Sequence, residues 1–198
     1  MRKREFLASA GTAALATTAT PALAASGQNS PTLLTISGAI GRGNRGPLDR
    51  ALDQMMVKQQ IAFDRAQTFD YRALTSLPAV SIRPTLEYDA RVHTLHGPLL
   101  GQVIEATGAR MDNTHKLVLR AIDGYTVNLT LAQARRYRFI VATHVDGQPL
   151  PLGGLGPLWA AFDADRHPDV MARPLAERYA QCPWGLYHIE VQATQAVG

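Results

Sequence analysis

Residues 116–162 constrain the fold most strongly. Three apolar runs there are separated by Asp123-Gly124-Tyr125, Asp146-Gly147 and Gly153-Gly154-Leu155-Gly156-Pro157. Asp-Gly between apolar runs is a turn with a mechanism, since glycine accepts a positive φ and the aspartate side chain hydrogen-bonds nearby backbone. Short runs closed by such turns read as hairpin strands. Residues 117–122 and 125–129 are expected to flank the first turn, and 139–145 and 148–152 the second. Thr130 is placed to cap a short helix over 131–137.

Upstream of this heart the punctuation continues. A β-branched run at 33–38 ends at Gly38 and predicts a first strand. Helical spacing of Leu48, Leu52 and Met55 suggests a helix over 48–56, and the alternation Val57, Gln59, Ile61, Phe63 a strand after it. Asp70 is expected to cap a helix that Pro78 stops. Val80, Ile82, Pro84, Leu86 and Tyr88 alternate as a further strand, with Pro84 restricted to an edge or bulge. Another short strand is expected at 92–95. Pro98 suits the first position of a helix closed by Gly108, with Leu99, Leu100, Val103 and Ile104 on its buried stripe. The closing alternation runs over 184–191. About nine short strands and three or four short helices make an α+β, β-rich, mixed single domain over 32–198.

The ends and the composition narrow the setting. Residues 1–24 have a basic start, a small-residue apolar centre and Ala22-Leu23-Ala24, which together predict a signal peptide cleaved after Ala24. Arg2-Lys3-Arg4-Glu5-Phe6-Leu7 resembles the twin-arginine export motif with Lys3-Arg4 in place of its usual pair, so ordinary secretory export stays open beside it. Either route makes the mature protein periplasmic or otherwise extracytoplasmic, after a linker over 25–31. Of 20 basic and 16 acidic residues the first five positions hold three and one, leaving 17 and 15. That balance, with Arg135, Arg136 and Arg138 as the densest basic group, indicates no nucleic-acid partner. A single cysteine, Cys182, makes no internal disulfide and is expected as a buried hydrophobe.

Motifs for hydrolysis or phosphate binding do not appear. The glycine-rich stretch 41–47 lacks both the dinucleotide and the P-loop pattern, and no Ser-His-Asp order, HExxH or CxxC is present. His93 and His96, three apart on a strand, would face opposite ways, so no shared metal site is expected there.

Five segments in order carry a resemblance. They are Thr68-Phe69-Asp70-Tyr71 through Leu77-Pro78, Leu95-His96-Gly97-Pro98-Leu99-Leu100 through Gly108, and Ala121-Ile122-Asp123-Gly124-Tyr125 with Leu131-Ala132-Gln133-Ala134. Val145-Asp146-Gly147-Gln148-Pro149-Leu150 with Leu155-Gly156-Pro157-Leu158-Trp159 follows, then Trp184 with Ile189-Glu190-Val191. Together they resemble the oxidoreductase molybdopterin-binding domain, the sulfite oxidase fold, and in particular its short, exported, stand-alone members. The resemblance implies a molybdopterin cofactor, with Arg83, Arg91, His96, Asp123, Tyr125 and Trp184 as its candidate contacts. It also implies a cysteine thiolate on molybdenum after the strand that follows Leu77-Pro78. The corresponding residues here, Pro84-Thr85-Leu86-Glu87-Tyr88, contain none. Two expectations follow: a cofactor-binding oxidoreductase-fold protein whose oxo-transfer chemistry lacks its ligand, or a non-catalytic periplasmic module using the same fold for another small molecule or a partner protein. A membrane redox or sensor protein would suit either as a partner.

Overall fold

The computed structural model describes residues 30–193. The leader, its cleavage point and residues 25–29 of the expected linker lie outside them, as do the last five residues of the expected domain. The described residues form a mixed, β-rich domain with several sheets. Its elements in order are β1 (Thr32–Gly38), α1 (Gln54–Lys58), β2 (Ala66–Asp70), α2 (Tyr71–Thr75), β3 (Ala79–Ile82) and β4 (Leu95–Pro98). Then come α3 (Leu100–Glu105), β5 (Lys116–Ala121), β6 (Thr126–Thr130), α4 (Leu131–Arg136), β7 (Ile140–Ala142) and β8 (His144–Val145). The chain closes with β9 (Gln148–Pro149), β10 (Trp159–Ala161), α5 (Pro168–Met171) and β11 (Leu186–Gln192).

The main sheet has the order β2-β1-β11-β5-β6. β1 and β11 pair in parallel, Ile36 opposite Ile189, while the other pairs in this sheet are antiparallel. The strands nearest the two ends of the domain therefore lie side by side at its centre. A four-stranded sheet, β3-β4-β8-β9, and the pair β10-β7 complete the β structure. Leu34, Ile36, Leu117, Leu119, Ile189 and Trp159 are fully buried between these layers, and burial of this kind supplies the main driving force for folding.

Local chemistry explains the elements that match expectation. The Thr130 side chain accepts from the Gln133 N–H, and the Gln133 side chain accepts from the Thr130 N–H, a reciprocal capping box that starts α4. Asp70 caps α2 by accepting from the Ala73 N–H. At the β8–β9 hairpin Asp146 and Gly147 both have positive φ, 47° and 79°, the twist a two-residue hairpin needs.

Tertiary pairing displaces the others. Pro98 ends β4 instead of opening α3, because Leu99 bridges Ile140 and the Leu100 N–H donates to the Phe139 carbonyl. Gly97 is required for that approach, since a Cβ there would lie 2.0 Å from the Val141 carbonyl oxygen. The alternation after residue 56 is not a strand: α1 runs through Val57, Gln60 turns at φ 59°, and Met56, Ile61 and Tyr187 bury one another in a small satellite cluster. The strand expected over 80–88 stops at Ile82. Pro84 cannot donate to a ladder, and the flanking N–H groups of Arg83 and Thr85 donate to Asp163 and Asp165 instead. The chain then turns at Leu86 and Ala90, which carries a φ of 57°. That turn projects Glu87 and Tyr88 out of the sheet.

Candidate functional site

The projected turn forms one wall of a cleft of about 220 Å³. Glu87 and Tyr88 face Asp123 and Tyr125 from the β5–β6 hairpin, and the segment that leads into β11 supplies Tyr179, Cys182 and Trp184. Three rings are open to solvent here: Tyr88, Tyr125 and Trp184 are 56%, 49% and 38% exposed. Half-exposed aromatic rings gathered around one hollow are unusual for a surface that only needs to stay soluble.

Each wall is held. The Tyr179 hydroxyl donates to the Thr85 carbonyl at 2.7 Å, and Asp165 accepts from both the N–H and the hydroxyl of Thr85. Across the cleft the Tyr125 hydroxyl donates to the Ala180 carbonyl at 2.7 Å, and Asp123 accepts from the Tyr125 N–H at 2.9 Å. Trp159 supports the third wall from below, donating its indole N–H to the Cys182 carbonyl at 2.9 Å and bridging Trp184 through backbone. Every wall is therefore tied to another by at least one directed bond, which preorganises the hollow.

Burial first, and the charge of the neighbouring Glu87 carboxylate second, push the Tyr88 phenol up to about 12. Burial likewise raises the Cys182 thiol well above its ordinary range, with Glu87 adding to the shift, so the sulfur is a neutral thiol. The lining thus offers aromatic surface, two carboxylates and a protonated thiol. No Lys, Arg or His is among the residues that line it.

Of the six residues singled out in the sequence, Asp123, Tyr125 and Trp184 meet in this cleft, while Arg83, Arg91 and His96 do not line it. Arg83 and Arg91 are exposed. His96 lies on β4 directly opposite His144 on β8, with its Nδ1 3.0 Å from the Ser81 hydroxyl and its ring 6.0 Å from that of His144. His93 is separate from that pair and sits between two carboxylates, Asp146 at 2.6 Å and Asp89 at 2.9 Å, which raise its pKa. Among the described residues no group of three or more His, Cys, Asp or Glu is placed to hold a metal ion. Sequence reasoning missed Glu87, Tyr88, Tyr179 and Cys182 as cleft residues. The available signal was Pro84 followed by Asp89-Ala90, which marks a loop where the alternation suggested a strand.

A second polar group is buried under the main sheet. His188 is fully buried on β11, with Nε2 3.0 Å from the Ser37 hydroxyl oxygen and Nδ1 3.3 Å from Arg120 Nη1, and Arg120 pairs with Glu190 at 3.1 Å. A guanidinium only donates, so Nδ1 is the acceptor and Nε2 carries the proton. Nε2 then donates to Ser37, which leaves the imidazole unable to take the serine proton and excludes a nucleophilic Ser-His pair. Burial and Arg120 push this histidine down to about 3. The adjoining hollow, lined by Ser37, Phe63, Asp64, Arg65 and Glu190, is larger at about 500 Å³. It has one aromatic ring against the three exposed rings of the smaller cleft, and its Arg65 donates to the Ile40 carbonyl, so the smaller cleft is the stronger candidate.

Comparison with known proteins adds the fold. No family model matches this sequence and no curated protein matches it. Among solved structures the chain is similar to the sulfane dehydrogenase SoxCD from Paracoccus pantotrophus, with a TM-score of 0.51 at 8% sequence identity. The likeness covers 81% of this chain and 38% of that one, and at this identity it is a likeness of fold.

Proposed function

We propose that this protein is an exported, non-catalytic module of the sulfite oxidase type that binds a small molecule in the Tyr88–Tyr125–Trp184 cleft. One observation carries the proposal: the turn after β3, where the resemblance implies a thiolate ligand, presents Glu87 and Tyr88 instead, opposite Asp123 and Tyr125. A molybdenum pterin held in the manner the resemblance implies needs a thiolate on the metal and cations on the phosphate. This lining supplies a neutral, 4% exposed thiol and two carboxylates, which do not fit that group, and no redox step is derived through it. Export rests on the leader sequence alone, and a binding module outside the cytoplasm would act through a partner at the membrane.

The fold likeness to a dehydrogenase supports a second reading, a cofactor-bearing oxidoreductase. Metal analysis and pterin fluorescence separate the two, on protein purified from a host that makes the molybdenum cofactor. Molybdenum and pterin at trace level are the expected result. Stoichiometric amounts of both would overturn the binding-module reading.

A further inference from the structure

Resting on that reading, we infer that the ligand is a small organic cation of the methylated-ammonium class, held by Tyr88, Tyr125 and Trp184 with Glu87 and Asp123 balancing its charge. Four features of the cleft point the same way. Aromatic faces attract a cation through the ring quadrupole, most strongly for tryptophan and then tyrosine, and recognition of quaternary ammonium groups by such rings is the established use of that attraction. The two charged side chains in the lining are both carboxylates, so an anion is repelled and a cation balanced. The volume of about 220 Å³ falls below the roughly 300–1,000 Å³ of sites for drug-sized ligands, which limits the occupant to a small head group with a short tail.

The fourth feature favours a methylated over an unmethylated ammonium. A primary ammonium carries three donors that need acceptors once it leaves water. In this cleft the Ala180 carbonyl already accepts from Tyr125, the Cys182 carbonyl from Trp159 and the Thr85 carbonyl from Tyr179. Asp123 accepts from the Tyr125 N–H through one oxygen, so the acceptors left to an ammonium are the remaining lone pairs of the two carboxylates. A fully methylated head asks for no hydrogen bonds and covers the exposed rings with apolar surface, which suits a lining with three exposed aromatic rings.

The test is calorimetric titration of the full chain with choline and, in parallel, with 3,3-dimethyl-1-butanol, which has the same shape without the charge, and with nicotinamide as a neutral planar ring. Saturable choline binding is expected, with the neutral isostere weaker by about tenfold or more. Trp184→Ala should abolish the choline signal. Asp123→Asn keeps the acceptor for the Tyr125 N–H and so keeps the turn, and should weaken choline several-fold while leaving the isostere unchanged. That variant keeps the test decisive even where Trp184→Ala lowers stability. Equal affinity for choline and its isostere, or nicotinamide binding without choline binding, would overturn the cation assignment and leave small-molecule binding in the cleft standing. Heat from none of the three would overturn the inference, and the metal and pterin analysis then judges the wider reading on its own.

Discussion

Trp159→Ala is expected to lower the unfolding free energy by about 4 kcal/mol, within the roughly 3–5 kcal/mol that full truncation of a buried tryptophan costs. The indole is completely buried and packs against Tyr179 with ring centres 6.0 Å apart. Its N–H is also the partner of the Cys182 carbonyl, so truncation opens a cavity and strips a buried acceptor of its donor at once, the second effect costing about 1–3 kcal/mol where no water replaces it. Urea unfolding of wild type and variant, with equal slopes, measures the difference. The neighbouring Trp184→Ala should cost less than Trp159→Ala, since 38% of that residue is exposed and that part of its surface loses no burial on truncation. A loss below about 1.5 kcal/mol for Trp159→Ala would contradict the placement of this ring as the support of the cleft.

Acidification gives the second large effect. His188 is neutral in the folded chain with its pKa pushed down from 6.5 to about 3, by burial first and Arg120 second, whereas in the unfolded chain it titrates near its ordinary value. Below pH 6.5 the unfolded state binds a proton that the folded state refuses. The stability His188 confers is therefore whole above pH 6.5 and is lost as the pH falls toward 3, at a limiting slope of about 1.4 kcal/mol per pH unit. Between pH 6.5 and 4.5 the loss is about 2–3 kcal/mol. His93 works in the opposite sense: Asp146 and Asp89 raise its pKa, so its contribution is whole below its ordinary pKa and is lost as the pH rises through the raised value. The carboxylates whose pKa is lowered, Asp53, Asp112 and Asp169 among them, begin to lose theirs below about pH 5 and lose most of it below about pH 4. His188 thus dominates the window from 6.5 to 4.5. Unfolding free energies at half-unit steps check it, and His188→Gln should flatten the slope in that window whatever its stability at pH 7. An unchanged slope in that variant would contradict a neutral, Arg120-bonded His188.

The parts of this molecule that could be read from its sequence are those decided within a few residues. Thr130 and Gln133 cap α4 across three positions, Asp70 caps α2, and Asp123-Gly124 and Asp146-Gly147 make the turns their chemistry demands. The parts that could not be read depend on partners far along the chain. Pro98 belongs to β4 because Leu99 and Leu100 find Ile140 and Phe139. The run from Val80 to Tyr88 has a strand's alternation, but its second half turns away because Asp163 and Asp165 take the N–H groups that a strand would have offered to a neighbour. The cleft shows the same limit. Asp123, Tyr125 and Trp184 could be named from their segments, whereas their meeting with Glu87, Tyr88 and Cys182 joins three stretches distant in sequence. No local periodicity records that meeting.

The cleft itself is tested most directly by a heteronuclear NMR titration of the full chain with choline, following the Trp184 indole and the amides of Glu87, Tyr88, Asp123 and Tyr125. Saturable shifts confined to these groups, with the buried Trp159 indole moving less, are the result predicted. Shifts that gather instead around Ser37, Phe63 and Arg65, or that leave the Trp184 indole unmoved at saturation, would contradict the assignment of this cleft as the ligand site.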